Sequence, residues 1–276
     1  MQQLKVCFLG TGSMGSAVLS GLLASGHPSK LVSATTKSEA SAERLRAQGI
    51  SALSLETSPD ANELLSADAD VVVLGVKPYQ LREVLAEIRE ELPKDAVVIS
   101  MAAGIELATM TSELPEHRNL IRSMPNTPAL VRRGVTGLAA GVEADPGAMD
   151  IANWLFSSVG EVVEVAENQI NALSAISGSG PAWIYFLIEK WEQVAVANGF
   201  SQSQAAQLVR STLIGSAELL AATSAEPAEL RRQVTSPGGT TERIIATLDQ
   251  AQLDQLFDAA LKAAVARAEE IASDKG

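Results

Sequence analysis

Hydrophobic positions in the first part of the chain follow two alternating patterns. Short runs rich in valine, leucine and isoleucine lie at residues 4–9, 31–34, 71–76, 97–101 and 137–140. Between them, apolar residues recur with helical spacing at residues 16–24, 38–48 and 79–92. Near-continuous apolar strands separated by helices are typical of a parallel sheet that is buried on both faces. Because the crossovers between such strands are right-handed, the pattern predicts a Rossmann-type, doubly wound α/β domain.

The pattern changes near residue 165. Beyond this point the β-branched runs disappear, and alanine, leucine, glutamate and glutamine dominate. Three long segments have a helical character there, at residues 166–198, 201–222 and 241–273. Asn198-Gly199 and the Ser-Pro-Gly-Gly run at 236–239 separate these segments. We therefore predict a dinucleotide-binding domain at residues 1–165 and an all-α domain at residues 166–276.

Composition narrows the class of protein. The 276 residues are 46% hydrophobic, which is enough for two folded cores and excludes a mostly disordered chain. A net charge of −12 argues against nucleic acid and anionic membranes as partners, because both attract positive surfaces. The single cysteine, Cys7, rules out an internal disulfide and fits a reducing compartment. With no membrane-length apolar run and no leader-like N-terminus, we expect a cytoplasmic protein.

A glycine-rich turn directly follows the first predicted strand and precedes a helical segment. It reads Gly10, Thr11, Gly12, Ser13, Met14 and Gly15. In this context the first glycine allows a tight turn, the second lets a pyrophosphate approach the backbone, and the third lets the helix pack against the strand. The helix N-terminus then offers free N–H groups to an anion. The alternative is a strand-to-helix turn that binds nothing.

The end of the second predicted strand bears on the choice of cofactor. An NAD enzyme places a carboxylate there to hold the ribose hydroxyls. This chain has Thr35, Thr36 and Lys37 instead, and its next carboxylate is Glu39. Two hydroxyls and a cation suit a 2′-phosphate, so the sequence favours NADPH over NADH. The alternative is that Lys37 is only a solvated charge in a turn.

Further turns follow the later strands. Lys77-Pro78 and the Met-Ala-Ala-Gly run at 101–104 would line one crevice, because ligands bind at the carboxyl ends of strands in open α/β sheets. The alternative is that each turn is only structural. Residues 124–128, Met-Pro-Asn-Thr-Pro, form a stiff connection that suits either a site loop holding the Asn126 amide or a plain rigid linker.

Two more motifs lie in the helical part. Residues 177–182, Ser-Gly-Ser-Gly-Pro-Ala, match a helix start, and their glycines allow another backbone or a ligand to come close. Residues 234–242 combine capping hydroxyls, a proline turn and two glycines, which makes them a candidate site for a small carboxylate at a helix N-terminus. The alternative is an ordinary connection between helices.

Taken in this order and spacing, the motifs closely resemble pyrroline-5-carboxylate reductases over nearly the whole chain. The most specific parts are residues 76–78, 124–128, 177–182 and 236–241. The resemblance implies a Rossmann domain followed by a helical domain that forms a homodimer by interleaving helices, with a ring of dimers as a further option. It also implies reduction of L-1-pyrroline-5-carboxylate to L-proline by hydride transfer from NAD(P)H, as the last step of proline biosynthesis.

The family's functional residues carry over position by position. The resemblance implies that the Gly10–Gly15 turn binds the pyrophosphate, that Thr35, Thr36 and Lys37 meet the adenosine ribose, and that Asn62 contacts the adenine ribose region. It implies that the nicotinamide side is lined by Val76, Lys77, Pro78, Met101, Ala102, Ala103 and Gly104. It implies that the substrate is bound by Ser236, Gly238, Gly239, Thr240 and Thr241, with Glu167 and Ser174 nearby.

The expected chemistry needs no strong protein acid, because an iminium already accepts a hydride readily. The Thr241 hydroxyl is the candidate hydrogen-bond donor to the imine nitrogen, and the N–H groups of Gly239 and Thr240 would hold the carboxylate. The two histidines, His27 and His117, lie in no motif, and we expect both at the surface. We expect no metal site, since the sequence has no cluster of histidine and cysteine ligands.

Two other functions stay open at this point. A 3-hydroxyacid dehydrogenase would carry a catalytic lysine one turn after the glycines at 178 and 180, whereas in this chain the first lysine after those glycines is Lys190. A non-catalytic dinucleotide sensor would have no need of the turn at 236–241.

Overall fold

The computed structural model describes residues 3–273, and within them the chain divides into two compact units. Unit 1 contains the described residues up to Ser179 together with those from Ala264 onward, and unit 2 is Gly180–Ala263. The strands are β1 (Val6–Leu9), β2 (Val32–Thr36), β3 (Ser51–Ser54), β4 (Val71–Leu74), β5 (Val97–Ser100), β6 (Leu120–Pro125), β7 (Gly134–Ala140) and β8 (Gly160–Glu164). The helices are α1 (Ser13–Ala24), α2 (Glu39–Arg46), α3 (Ala61–Ser66), α4 (Leu81–Ile88), α5 (Leu107–Glu113), α6 (Pro146–Ser157), α7 (Ile170–Leu173), α8 (Gly180–Ala197), α9 (Gln202–Ala222), α10 (Pro227–Gln233), α11 (Thr240–Gln250) and α12 (Leu253–Ser273).

All eight strands belong to one sheet, in the order β3-β2-β1-β4-β5-β6-β7-β8. The pairs from β3 through β6 are parallel, with β1 at the point where the strand order reverses. This confirms the predicted doubly wound α/β domain followed by a helical region. The expectation that residues 137–140 extend the parallel sheet is wrong in one respect. β7 runs antiparallel to β6, because a short connection at 126–133 returns the chain directly, and only the β7–β8 pair is parallel again.

The core of unit 1 covers both faces of the sheet. Alternate residues of β1 enter different hydrophobic clusters: Val6 and Phe8 pack on one side, and Cys7 and Leu9 pack on the other. All four are at most 1% exposed, which is why the strand reads as a continuous apolar run rather than as an alternation. Burial also raises the pKa of the Cys7 thiol to about 12.

Both histidines are buried, which corrects the expectation that they lie at the surface. His27 is 5% exposed, and its ring meets that of Trp154 edge to face at 5.3 Å between centroids. His117 is 7% exposed. Because burial disfavours the charged ring, the pKa of each imidazole lies below its usual 6.5.

Unit 2 consists of α8 to α11 and the first part of α12. The predicted helix at 201–222 is confirmed, and the Ser201 hydroxyl caps its N-terminus by accepting from the Gln204 N–H. The predicted helical segment at 241–273 is interrupted at Gln252, whose φ of 51° lies in the left-handed region. Segment 166–198 is likewise divided, into a 3₁₀ turn, α7, a π-helical turn and α8.

Helices of unit 2 leave most of their apolar side chains exposed. No residue of α8 or α11 is buried, and in α9 only Ala205 and Val209 are. The exposed group on α8 is Ile184, Tyr185, Phe186, Leu187, Trp191, Val194 and Val196. None of the helices in the described part of the chain combines the length and hydropathy needed to cross a membrane. The predicted domain boundary at 165/166 stays a prediction.

Candidate functional site

The turns predicted to hold a dinucleotide follow neighbouring strands at the carboxyl edge of the sheet. The Gly10 N–H donates to the Thr35 hydroxyl at 3.0 Å, which ties the end of β1 to the end of β2. The Gly75 N–H donates to the Leu9 carbonyl at 2.8 Å, and the Met101 N–H donates to the Leu74 carbonyl at 3.1 Å. The ends of β1, β2, β4 and β5 therefore form one continuous edge, as the sequence predicts.

Backbone packing at this edge leaves no room for side chains at three positions. A Cβ atom at Gly75 would lie 2.1 Å from the Gly10 carbonyl oxygen, and one at Gly15 would lie 2.6 Å from the same oxygen. Gly10 itself has a φ of +85°, a conformation that L side chains rarely adopt. The helix and the two strands can meet this closely only because all three residues are glycine.

Gly12 differs from these three glycines. A Cβ atom there would meet no protein atom within 4 Å. Gly12 is also the N-cap of α1, and no side chain caps that helix end. Open space beside a helix N-terminus that lacks a side-chain cap suits the pyrophosphate of a dinucleotide, since helix amides and the helix dipole both favour an anion.

Of the three residues predicted to bind the ribose and its 2′-phosphate, two are buried and one is exposed. Thr35 and Thr36 are 1% and 2% exposed. The Thr35 hydroxyl accepts from Gly10, and the Thr36 hydroxyl donates to the Ser38 carbonyl at 2.9 Å, so both support the turn. Lys37 is exposed directly after β2. Of the three residues, Lys37 is the one whose side chain is available to a phosphate.

Asn62 lies in the first turn of α3 and is 3% exposed. Its side-chain amide donates to Glu87 Oε2 at 2.8 Å. Its Oδ1 atom meets no hydrogen-bond partner among the residues described. The predicted contact with the adenine ribose region stays a prediction. The Nδ2 atom is already used in the bond to Glu87, whereas Oδ1 is not used in any bond among the described residues.

Within unit 1, a cavity of about 400 Å³ joins the predicted nicotinamide side to a residue predicted near the substrate. Its walls include Pro78, Ala103 and Gly104 from the turns after β4 and β5, and Ser174 from the segment after β8. Arg122 and Met124 of β6 complete this part of the lining. Arg122 was not predicted from the sequence, since it lies in a strand that the apolar pattern did not reveal.

Ser174 begins a π-helical turn, Ser174–Gly178, in which the Ser179 N–H donates to the Ser174 carbonyl at 2.9 Å. Such turns are rare and are frequent at functional sites. The Asn126 amide holds this turn: its Nδ2 donates to the Ser177 carbonyl at 2.9 Å, and its Oδ1 accepts from the Val135 N–H at 2.8 Å. The Asn126 amide is therefore held in place, as the site-loop interpretation of the motif at 124–128 requires. Both of its hydrogen bonds go to backbone groups of the protein.

Glu167 lies at the other end of the same segment. Its Oε1 accepts from the Leu107 N–H at 2.5 Å, at the start of α5, and from Arg122 Nη1 at 3.3 Å. Arg122 Nη2 donates to Asn171 Oδ1 at 3.2 Å. The Glu167 carboxylate, predicted to lie near the substrate, thus links the start of α5 to β6.

The predicted substrate turn belongs to unit 2 and leads into α11. Gly238 has a φ of +72°, and its N–H donates to Glu242 Oε2 at 2.7 Å. The Gly239 N–H, predicted to hold a carboxylate, donates instead to the Ser236 carbonyl at 3.0 Å. Because this bond closes the turn, the amides that remain for an anion are those of Thr240 and Thr241 at the helix start, where no side chain caps α11.

A Rossmann sheet with a glycine turn at an uncapped helix N-terminus, together with a cavity lined by turns after later strands, is typical of a dinucleotide-dependent oxidoreductase. Comparisons with known proteins agree. Residues 5–104 match the family model described as NADP oxidoreductase coenzyme F420-dependent, and residues 167–271 match the one described as pyrroline-5-carboxylate reductase dimerisation.

Similar proteins identify the family. The chain is 36% identical over 273 residues to the pyrroline-5-carboxylate reductase of Pseudomonas aeruginosa, covering 99% of this chain and 98% of that one. It is 35% identical over 272 residues to that of Methanosarcina acetivorans, covering 98% and 99%. The solved pyrroline-5-carboxylate reductase of Coxiella burnetii superposes with a TM-score of 0.92 at 35% identity, covering 98% of each chain. The Plasmodium falciparum enzyme, solved with NADP bound, gives 0.81 at 26% identity over 99% of each chain. This chain belongs to the pyrroline-5-carboxylate reductase family.

Proposed function

We propose that this chain reduces L-1-pyrroline-5-carboxylate to L-proline, the last step of proline biosynthesis, with NADPH as its preferred reductant. The observation that supports the proposal is the cavity of unit 1, in a chain of this family. Its lining includes Pro78, Ala103 and Gly104, which we propose to face the nicotinamide, and Ser174, which we propose to lie near the substrate. The bound dinucleotide supplies the hydride. The protein positions the reactants and stabilises the charges on them.

The turn at Gly10–Gly15 would hold the pyrophosphate. Gly12 faces open space, whereas Gly75 faces the Gly10 carbonyl at a distance that excludes a side chain. We expect Gly12→Ala to weaken NADPH binding about tenfold or more and to lower the free energy of unfolding by less than about 1 kcal/mol, because the new methyl group enters open space at the N-cap of α1. Gly75→Ala should lower the free energy of unfolding by about 1–3 kcal/mol, because the methyl group clashes with backbone.

Titration calorimetry and urea unfolding of both variants separate these effects. The site assignment is wrong if Gly12→Ala binds NADPH as tightly as the unmodified chain does.

Lys37 is the residue proposed to favour NADPH over NADH. Its ammonium would meet the 2′-phosphate, which NADH lacks. Lys37→Ala should lower kcat/KM with NADPH about tenfold and leave kcat/KM with NADH unchanged, since a charge-assisted hydrogen bond contributes about 1.5–3 kcal/mol. Lys30→Ala is a matched control, because Lys30 is an exposed lysine that precedes β2 where Lys37 follows it. Equal losses with both cofactors would remove Lys37 from this role.

Substrate binding is assigned to the turn before α11. The Thr241 hydroxyl would donate a hydrogen bond to the imine nitrogen, and the Thr240 N–H would hold the carboxylate at the helix N-terminus. Ser236, Gly238 and Gly239 form the turn that presents these groups.

Thr241→Val removes the hydroxyl at constant shape, and we expect kcat/KM to fall about tenfold to a hundredfold. Thr241→Ser keeps the hydroxyl and should retain most of the activity. NADPH affinity should be unchanged in both variants. If the valine variant is as active as the serine variant, the role is wrong.

We also propose a cytoplasmic homodimer. The apolar surface of α8 is the kind of surface that a second copy would cover. A ring of dimers is the alternative that light scattering would reveal. Cell fractionation tests the location, since recovery of the native chain outside the cytoplasm would contradict it.

The decisive experiment is the oxidation of NADPH, followed at 340 nm, in the presence of pyrroline-5-carboxylate. Formation of proline in equal amount to the NADPH consumed supports the function. NADPH binding without turnover would instead indicate a dinucleotide sensor.

A further inference from the structure

Arg122 is unusual among the paired cations of this chain. Its side chain is 4% exposed, whereas the lysine and arginine side chains in the other ion pairs of the described residues are 39% to 84% exposed. It lies in β6, next to the fully buried strand β5. The guanidinium is therefore shielded from nearly all contact with bulk solvent.

Stability alone does not account for this arginine. Moving a charge out of water costs free energy that its ion pair only partly returns, and apolar side chains of similar size often serve equally well at such positions. Leu120, which shares the face of β6 that carries Arg122, is 2% exposed and belongs to the hydrophobic core. A charged residue at such a buried position indicates that it holds other groups in place, rather than that it fills the core.

The partners of Arg122 show which segments it positions. Nη1 meets Glu167 Oε1 at 3.3 Å, and the same oxygen accepts from the Leu107 N–H at 2.5 Å. Leu107 begins α5 three residues after Gly104, which lines the cavity. Nη2 meets Asn171 Oδ1 at 3.2 Å, and Asn171 lies one helical turn before Ser174.

Arg122 therefore links two segments whose residues line the same cavity. One hydrogen-bonded path leads through Glu167 to the turn after β5, on the nicotinamide side. The other leads through Asn171 to the segment that carries Ser174. A guanidinium suits this task, because its planar group presents several donors in fixed directions, whereas an ammonium is a single point on a flexible stem.

We propose that Arg122 is a positioning residue for hydride transfer, which fixes the separation between the turn at 101–104 and the segment that carries Ser174. The inference rests on the proposed function. Hydride transfer needs its two carbon atoms held about 3–3.5 Å apart, so a small loosening of the walls lowers the rate of the chemical step more than it lowers binding.

Arg122→Lys tests the inference, because it keeps the charge and loses the two-armed geometry. The measurement is a stopped-flow single turnover of enzyme-bound NADPH with saturating pyrroline-5-carboxylate. We expect the rate constant to fall about tenfold or more, with the NADPH dissociation constant within threefold of the original. Damage to the fold alone would reduce the amplitude, which counts active molecules, and leave the rate constant unchanged.

Arg89→Lys is the matched control. Arg89 also pairs with a carboxylate in unit 1, Glu113 Oε2 at 3.0 Å, and lies outside the cavity lining. We expect its single-turnover rate to equal that of the unmodified chain. An unchanged rate constant in Arg122→Lys would overturn the inference.

A second pair of variants keeps the test decisive if Arg122→Lys does not fold. Glu167→Gln retains an oxygen for both donors, and Glu167→Ala removes it. We expect the alanine variant to be slower in single turnover and the glutamine variant to recover most of the rate. Equal rates in the two variants would contradict the inference. Inactivity of the unmodified chain toward pyrroline-5-carboxylate would instead refute the proposed function, so the two failures are distinguishable.

Discussion

Helices α1 and α8 show how differently the two units use apolar residues. α1, in unit 1, buries six of its twelve residues, whereas α8, in unit 2, buries none of its eighteen. Both helices are rich in apolar side chains, so composition does not separate them. Unit 1 covers its sheet on both faces with its own helices, while unit 2 leaves large side chains such as Phe186, 57% exposed, in contact with solvent. The difference teaches that a sequence can specify a hydrophobic surface that one copy of the chain does not bury.

The largest expected effect comes from placing a charge on that surface. Leu187 of α8 is 52% exposed, and Leu64 of α3 in unit 1 is 56% exposed. We expect Leu187→Asp to convert the proposed homodimer to monomers and to lower activity by about a hundredfold or more, because a carboxylate in an apolar interface is strongly unfavourable. Leu64→Asp should change neither the mass nor the activity.

Light scattering coupled to gel filtration measures both variants at the same protein concentration. A dimeric Leu187→Asp variant with full activity would remove the explanation offered for the exposed surface of unit 2.

A smaller effect should distinguish two asparagines. Asn126, in unit 1, is 8% exposed and bonds two backbone groups, whereas Asn198, at the end of α8, is exposed and donates to the Val194 carbonyl at 2.8 Å. Asn126→Ala leaves the Ser177 carbonyl and the Val135 N–H without a partner. It should lower the free energy of unfolding by about 2–4 kcal/mol.

Asn198→Ala should cost less than about 0.5 kcal/mol, because water replaces the lost bond. Urea unfolding at one protein concentration compares the two variants. Similar losses would mean that the two units do not differ in burial as described.

The smallest expected effect is a change in stability at acidic pH. Burial holds the pKa of His27 below 6.5, so below that pH the unfolded chain binds a proton that the folded chain does not. The free energy of unfolding should therefore fall as the pH decreases from 6.5 toward the pKa of the folded state. The variant His27→Leu should lose this part of the pH dependence. Unfolding curves at pH 7.5 and 5.5 provide the measurement, and a variant with the same pH dependence as the unmodified chain would contradict the assignment.

Much of the fold of unit 1 could be predicted because its inner strands are continuously apolar. The strands that escaped prediction lie away from that centre or carry mixed residues. β3 alternates buried positions with exposed or half-buried ones over only four residues, and β8 has no buried residue. β6 contains Arg122 and ends at Pro125, so its composition predicts a stiff connection rather than a strand. Short, partly polar strands acquire their structure from their neighbours in the sheet, which a local pattern cannot reveal.

The candidate site divides in the same way. Its contiguous motifs could be predicted, because glycine and proline restrict the backbone locally. Arg122 could not, since its partners Glu167 and Asn171 are 45 and 49 residues away and meet it only through the fold. His27 was misjudged for a related reason: its burial depends on Trp154, far along the chain. One local feature could have indicated that His27 is buried: it follows Gly26 just after the end of α1, where the chain turns back toward the sheet.

Cys7 gives the chain a practical property. The chain's one thiol lies sealed within the sheet, and its raised pKa keeps it protonated and unreactive toward alkylating reagents at neutral pH. Any cysteine introduced at the surface would therefore be labelled alone, without first deleting the native one. A fluorophore or spin label could be placed at single positions of α8 or α3, so that the environments of the two units could be followed separately in the otherwise unaltered protein.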